Sequence, residues 1–119
     1  MDDERLGGNI LEELEMVSFK VISASGAAKS LFMEAMQHAR KRDFEKSEYC
    51  IKEGEKHRQQ GHETHFELIQ EEANGKSISI TLLLAHAEDQ LMAAETIKIM
   101  AEEIMENYKA ISRLEKKIS

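Results

Sequence analysis

A histidine and an aspartate lie one helical turn apart in the most apolar part of the sequence. His86 and Asp89 follow the run from Leu82 to Ala85, and a spacing of three puts both side chains on one face of a helix. Gln90 follows within one turn of the imidazole. Burying an imidazole and a carboxylate costs free energy unless each finds a partner. We therefore predict that this pair has a chemical or a structural role and that the rest of the chain positions it.

The imidazole of His86 is the group best suited to chemistry. A neutral imidazole is a good nucleophile toward phosphorus and a good leaving group afterwards. The transition state of phosphoryl transfer is loose, so a protein has mainly to position the group and exclude water. The sequence contains neither a P-loop motif nor Gly-x-Gly-x-x-Gly, so a nucleotide would find no phosphate cradle.

The composition predicts an all-α fold in one domain over residues 1–119. The chain has no proline, no tryptophan and only 6 glycines, which favours helix almost throughout. The predicted helices span about residues 9–40, 44–73 and 78–114. Asp43 is expected to cap the second helix, and Ser77 or Ser79 the third. Short connections predict an antiparallel up-down three-helix bundle.

The three helices differ in their apolar patterns. Steps of three and four define a strong seam in the first helix: Ile10, Leu14, Val17, Val21, Ala24, Ala28, Leu31 and Ala35. The seam of the second helix is more polar: Phe44, Ser47, Ile51, Gly54, Arg58, Gly61, His65 and Leu68. In the third helix, only Thr81 and His86 are polar between residues 80 and 87, so this segment is apolar all round and two neighbouring helices cannot cover it. We infer that copies of the chain pack side by side. The third helix continues with an apolar stripe of Ile97, Met100, Ile104 and Ile111. We expect both ends of the chain to fray, up to about residue 8 at the start and from 113 to 119 at the end.

Small side chains surround Gly26 in the first helix. A glycine in a helix interior costs about 1 kcal/mol relative to alanine, so its presence needs a reason. The favoured interpretation is close helix packing. The alternative is a notch beside His86 that admits a ligand or the side chain of a partner.

Charge and cysteine content restrict the partners and the compartment. The formal charge of −7 argues against DNA or RNA as a partner. The single Cys50 cannot form an intrachain disulfide. The start of the chain does not have the pattern of a signal peptide, and the longest apolar run is too short to span a bilayer. We expect a cytoplasmic location.

The other histidines and the known histidine motifs do not offer a better site. His62 and His65 are one residue too close for a His-Glu-x-x-His zinc motif, so surface or interhelical hydrogen bonding is favoured for them, and likewise for His38. No histidine has a glutamate three positions before it, which excludes a ferritin-like di-iron bundle. A two-component phosphorelay bundle is disfavoured, because Glu88 and Asp89 stand where its motif has Lys-Gly.

An ordered set of motifs covers nearly the whole chain. They are His86-Ala87-Glu88-Asp89-Gln90-Leu91-Met92, Gly26-Ala27-Ala28-Lys29-Ser30, Asp43-Phe44, and His62 followed by Leu68-Ile69. Together they resemble the enzyme IIA component of the lactose/cellobiose/diacetylchitobiose branch of the bacterial phosphoenolpyruvate-dependent sugar phosphotransferase system. The family heptapeptide is close to His-Ala-Gln-Asp-His-Leu-Met, so Glu88 and Gln90 depart from it. Lys29 replaces a usual arginine, and His65 stands where family members often have glutamine.

The resemblance implies a function and an assembly. His86 would accept a phosphoryl group from phospho-HPr and pass it to a cysteine of the cognate enzyme IIB, and through it to the membrane component IIC, for uptake of a β-disaccharide such as cellobiose, lactose or diacetylchitobiose. Family members are homotrimers with nine helices. Asp89 would lie near the threefold axis and bind a divalent metal, with Mg²⁺ the expected ion. Gln90, His62 and Gly26 would support the site.

The metal that the resemblance implies is physically reasonable, and one other class of function stays open. Three carboxylates that meet at an axis repel one another unless they are protonated or bind a cation. The other class is a non-enzymatic helical interaction or regulatory protein, in which His86 and Asp89 form a buried polar pair that fixes register. Phosphoryl acceptance would separate the two.

Overall fold

The computed structural model describes the backbone of residues 2–119 and the side chains of residues 11–119, so Ile10 of the predicted seam lies outside the described side chains. The three helices are α1 (Asp2–Arg40), α2 (Phe44–Ala73) and α3 (Leu82–Ile118), and the described backbone contains no strand. They form an all-α bundle about 77 Å long, with cross-sections of 21 and 19 Å.

Contacts between the helices establish the up-down order. Along α2, Ser47 donates to the carbonyl of Ala35 on α1, whereas Gly61, further on, faces Ala24. The two helices are therefore antiparallel. Gly61 also faces Leu91 at the start of α3, and Glu48 at the start of α2 pairs with Lys109 near the end of α3, so α3 is antiparallel to α2.

Local chemistry explains where the turns lie. Asp43 caps α2 as predicted, because its carboxylate accepts from the amide of Lys46 at 3.2 Å. Gly75 adopts a positive φ of 97° just after α2, a backbone conformation that glycine adopts without a steric penalty. The predicted caps of α3, Ser77 and Ser79, are wrong. Thr81 is the cap, since its hydroxyl accepts from the amide of Leu84 at 3.0 Å.

Two predicted helix ends also differ from the structure. Helix α1 begins at Asp2 rather than after Gly7-Gly8. Helix α3 continues to Ile118 rather than ending near 114. Lys116 and Lys117 lie in its last turn, where cations are favourable, so the predicted fraying of this tail is wrong.

The core lies along α1. One buried cluster joins Ala28 and Phe32 of α1 to Ala94 and Ala101 of α3, and a second joins Val21 to Ala87 and Leu91. Alternate members of the predicted α1 seam are buried, and the seam is completed by positions that the pattern missed: Ser18, Ser25, Phe32 and Ala39. The prediction was offset because serine is polar and was not counted as a seam residue.

Helix α2 contributes small side chains to the core. Its buried residues are Ser47, Cys50, Gly54 and Gly61. A Cβ atom at Gly54 would lie 2.6 Å from Cε1 of Phe32, so the glycine makes room for the largest fully buried side chain. The polar seam of α2 is therefore a packing surface of small residues rather than a weak core.

Large apolar side chains remain exposed on the single chain. In α3 the predicted stripe residues Met100 and Ile111 are 53% and 41% exposed, because Ala94, Ala101 and Met105 face the other helices instead. No helix in the described part of the chain combines the length and apolarity needed to cross a membrane.

Candidate functional site

His86 lies near the start of α3, a little more than one turn after the Thr81 cap. Its side chain and that of Asp89 are exposed in the single chain, whereas Ala87 and Leu91 are buried against α1. The predicted burial of the pair is therefore wrong within one chain. The physical reason is rotation: each residue advances about 100° around a helix, so the face that packs on α1 is the one centred on Ala87.

Asp89 lies on an apolar stripe that faces solvent. We call this set of exposed α3 residues the exposed stripe: Leu82, Ala85, Asp89, Met92, Thr96 and Ile99. Leu82 is 88% exposed and Met92 66%. The residues recur in steps of three and four, which is the spacing of an apolar seam along which helices pack side by side. Asp89 is its only charged member, one turn before Met92.

His86 lies at the border between the exposed stripe and the face that packs on α1. Gln90, one turn further along α3, has its amide oxygen bound by the ammonium group of Lys29 from α1. This contact brings a cation from α1 to the helical turn that follows His86. Lys29 was recognised in the sequence only as a replacement for arginine, because its contact with Gln90 joins residues 61 positions apart.

The side of α3 that faces α2 carries a separate set of polar contacts. His65 Nε2 lies 2.8 Å from Glu88 Oε1, which confirms interhelical hydrogen bonding for this histidine. His62 is exposed, stacks on Phe66 and lies 3.7 Å from Glu95. Glu95 projects from the opposite side of α3 to His86. Within one chain the structure therefore does not bring His62 to His86.

Ion pairs hold α2 to α3 beside these histidines. Arg58 donates to Glu55 at 2.6 Å and to Glu95 at 3.3 Å, and Lys98 lies 3.0 Å from Glu55. Hydrogen bonding from Arg58, together with Lys98, lowers the pKa of Glu55 from 4.5 to about 2. Glu55 in turn raises the pKa of Arg58. These charges fix one side of α3 and leave the His86 side open.

Gly26 does not pack closely against another helix. A Cβ atom built there would meet nothing within 4 Å, so close packing is the wrong reason for this glycine within one chain. Gly26 precedes Lys29 by one turn on α1. The alternative, a notch beside His86, stays a prediction, because the open space at Gly26 is seen only around Gly26 itself.

The divalent metal expected at Asp89 needs more than one chain. One carboxylate per chain is too few ligands for a hard cation, which prefers six or more oxygens, water included. The donor type fits, since Asp89 is an exposed carboxylate on the exposed stripe, and parallel copies would bring equivalent carboxylates together. Among the side chains of residues 11–119, the one set of three grouped metal-ligand types is Glu34, His38 and Cys50, which the sequence analysis did not connect.

Comparisons with known proteins agree with this architecture. Residues 16–109 match the family model described as the lactose/cellobiose-specific IIA subunit of the phosphotransferase system. The lichenan-specific phosphotransferase enzyme IIA component of Bacillus subtilis strain 168 is 39% identical over 101 residues, which cover 85% of this chain and 92% of that protein.

Two solved structures resemble the bundle. The cellobiose-specific enzyme IIA of Bacillus anthracis matches with a TM-score of 0.82 and 35% identity, over 84% of this chain and 92% of that one. The second comes from the IIA(chitobiose)–HPr complex of the N,N'-diacetylchitobiose branch of the Escherichia coli phosphotransferase system. It matches with a TM-score of 0.72 and 24% identity, over 83% of this chain and 96% of that one, and supports the fold.

Proposed function

The chain belongs to the lactose/cellobiose family of IIA subunits and is therefore a phosphotransferase component; from that premise we propose that His86 carries its phosphoryl group. The observation that carries the proposal is the position of His86: exposed on a capped helix, beside a turn where α1 supplies the cation of Lys29. An exposed imidazole on a rigid element is open to a protein donor and to a protein acceptor in turn.

The reaction has two in-line steps. In the first, a ring nitrogen of neutral His86 attacks the phosphorus of a phosphohistidine on the donor. A new N–P bond to His86 forms and the N–P bond to the donor breaks. The electron pair of the broken bond returns to the donor imidazole. In the second, a cysteine thiolate of the acceptor attacks the same phosphorus, an S–P bond forms and the N–P bond to His86 breaks. The two steps together neither consume nor release a proton, and His86 returns to its neutral form.

The donor is proposed to be HPr and the acceptor the cognate enzyme IIB, which serves a membrane IIC. The Escherichia coli relative whose structure was determined with HPr supports the first assignment. Relatives named for lichenan and cellobiose support a β-linked sugar as the final acceptor. We place the reaction in the cytoplasm. The IIA chain itself holds only the phosphoryl group, so its residues do not select the sugar.

Lys29 and Gln90 are proposed to stabilise the phosphorylated state. A phosphoryl group brings negative charge to a helix that already carries Glu88 and Asp89 next to the site. Lys29 is the cation that the structure brings from α1 to this turn. Its ammonium group has three donors, so it can keep its bond to Gln90 and offer another to a phosphoryl oxygen.

The chain is proposed to act as a homotrimer through the exposed stripe. Parallel copies would bury Leu82, Met92 and Ile99 at a common axis and would bring three Asp89 carboxylates together. A bound divalent cation, with Mg²⁺ the proposed ion, would offset their repulsion. When bound, that ion supplies charge neutralisation between subunits, whereas the chemistry at His86 belongs to the imidazole. His86 would then border the interface between subunits and lose part of its exposure to water.

The experiment that tests the carrier is phosphorylation with purified components. The chain is incubated with phosphoenolpyruvate, enzyme I and HPr, and we expect one added phosphoryl mass that is acid-labile and maps to His86. His86→Ala should abolish this acceptance and leave helicity unchanged, whereas the control His62→Ala should keep it. Acceptance that survives in His86→Ala would move the site to another histidine.

A purely structural role for the pair has less support. The competing interaction-protein hypothesis needs His86 and Asp89 to form a buried polar pair. Both side chains are exposed in the single chain, and in the proposed trimer Asp89 would face other carboxylates rather than His86. A chain that stays unmodified while HPr is phosphorylated would revive it.

A further inference from the structure

Three side chains of different ligand type meet between α1 and α2, far from His86. Glu34 and His38 are one turn apart on α1, and Cys50 faces them from α2. A carboxylate oxygen, an imidazole nitrogen and the thiol sulfur all lie within 4.8 Å of one another. Nothing in the proposed phosphoryl transfer uses any of them.

The spacing of these atoms suits a tetrahedral metal ion. Bonds of about 2.0 to 2.3 Å place neighbouring ligand atoms of a tetrahedral zinc site roughly 3.3 to 3.8 Å apart. His38 Nε2 is 3.5 Å from Glu34 Oε1, so one edge of the tetrahedron already has this length. The sulfur of Cys50 lies within 4.8 Å of both atoms, so the three ligand atoms are already grouped, and small side-chain rotations would bring them onto one ion.

Burial gives the cluster a closed side and an open side. Cys50 is 4% exposed and forms the floor, while the side chains of His38 and Glu34 are 23% and 52% exposed and leave an entrance from solvent. Burial and the nearby Glu34 carboxylate raise the pKa of the Cys50 thiol. A bound cation reverses both effects, because it replaces the thiol proton, which leaves to solvent as the metal–sulfur bond forms.

The mixture of donors selects the metal. Mg²⁺ and Ca²⁺ prefer oxygen ligands, whereas sulfur, imidazole nitrogen and one carboxylate are the ligand set of Zn²⁺. We propose that Glu34, His38 and Cys50 form a three-ligand Zn²⁺ site whose fourth position is open to water. The site joins α1 to α2 near their connecting turn and stabilises that hairpin.

This site is separate from the one proposed at Asp89. Val21 of α1 packs beside Ala87 of α3, and Glu34 lies between three and four turns beyond Val21, so the two sites are about 20 Å apart along the bundle. The proposal does not rest on phosphoryl transfer by His86. Failure of either one leaves the other untouched.

Cobalt titration tests the site directly, since Co²⁺ reports thiolate ligation by a charge-transfer band in the near ultraviolet. The reduced, metal-free chain is titrated with Co²⁺, and we expect a band that saturates at one equivalent and disappears when Zn²⁺ is added. His38→Gln should weaken Co²⁺ binding more than tenfold, and Cys50→Ser should remove the band. Zn²⁺ should also raise the melting temperature of the wild-type chain and not that of His38→Gln.

Matched controls separate this site from other histidines and from the stripe. His57→Gln, on α2, and Asp89→Asn should both keep the band and its affinity. Because Cys50 is buried, its serine variant is checked by circular dichroism, and the change His38→Gln, at a partly exposed side chain, provides an independent reading. A wild-type chain without a charge-transfer band, or a band of unchanged affinity in both His38→Gln and Glu34→Gln, would overturn the proposal.

Discussion

Lys29 of α1 donates a hydrogen bond to the side-chain oxygen of Gln90 on α3, one helical turn beyond His86. The contact joins two residues that the sequence separates widely and holds a cation next to the proposed phosphoryl site. It also gives Gln90, which departs from the family heptapeptide, a physical role: its amide oxygen orients the lysine.

Replacing Lys29 tests whether this cation serves the reaction. Lys29→Gln is expected to slow phosphoryl acceptance from HPr roughly tenfold, because one screened charge near the phosphoryl group contributes on the order of 1.4 kcal/mol. The measurement is the rate of ³²P transfer from phospho-HPr under single-turnover conditions. Lys41→Gln, near the connecting turn of α1 and α2, is the matched control and should transfer at the wild-type rate. Equal rates for all three proteins would exclude a role for Lys29.

Removal of divalent metal tests the proposed axis. If three Asp89 carboxylates meet, a chelator at neutral pH should weaken the wild-type trimer, because their repulsion is then no longer offset. Sedimentation with and without chelator measures the change. Asp89→Asn, which carries no charge at this position, should give a trimer that does not respond to chelator. A wild-type trimer that contains no metal and ignores chelator would refute the metal at this axis.

Helical periodicity predicted most of the fold, because the number of helices, their caps and their order depend on local sequence and on packing within one chain. The sequence indicated three helices, an Asp43 cap and antiparallel neighbours, and the structure has all of these. The start of α3 was misplaced because two serines and Thr81 are all good capping residues; the helix uses Thr81, whose backbone is extended and whose hydroxyl accepts from the amide of Leu84.

The surroundings of the site could be predicted less well, because they depend on which face of α3 packs on α1. His86 and Ala87 are neighbours in sequence, yet one is exposed and the other buried. An apolar helix offers several equivalent faces, and pattern alone does not choose between them. The grouping of Cys50 with His38 was missed for a related reason: the cysteine was considered only for disulfides, and the contact crosses between two helices.

The depressed pKa of Glu55 makes stability depend on acid pH. The folded-state pKa is about 2, against an ordinary value of 4.5, so the ion pair stabilises the fold fully above about pH 4.5 and loses this contribution as the pH falls toward 2. Glu55→Gln should therefore lower the free energy of unfolding by about 1 to 2 kcal/mol at pH 7, with allowance for partial exposure, and by almost nothing at pH 2. Urea unfolding across this range measures the difference. A gap between the two proteins that does not narrow with acid would mean that the ion pair adds no stability.

The close approach of Gly54 to Phe32 predicts a cost for a single methyl group. Gly54→Ala would put its Cβ 2.6 Å from Cε1 and 2.9 Å from Cδ1 of the fully buried Phe32 ring. Overpacking of this kind costs about 1 to 3 kcal/mol, and the higher helix propensity of alanine offsets up to about 1 kcal/mol, so we expect a net loss of about 1 to 2 kcal/mol in urea unfolding. Gly26→Ala, where the new atom meets nothing within 4 Å, is the control and should not destabilise the monomer. The cost of Gly54→Ala should be smaller in a Phe32→Leu background than in the wild-type chain, because the smaller side chain makes room for the methyl group. If Gly54→Ala were as stable as the wild-type chain, α2 would not be packed on Phe32 in solution as it is in the structure.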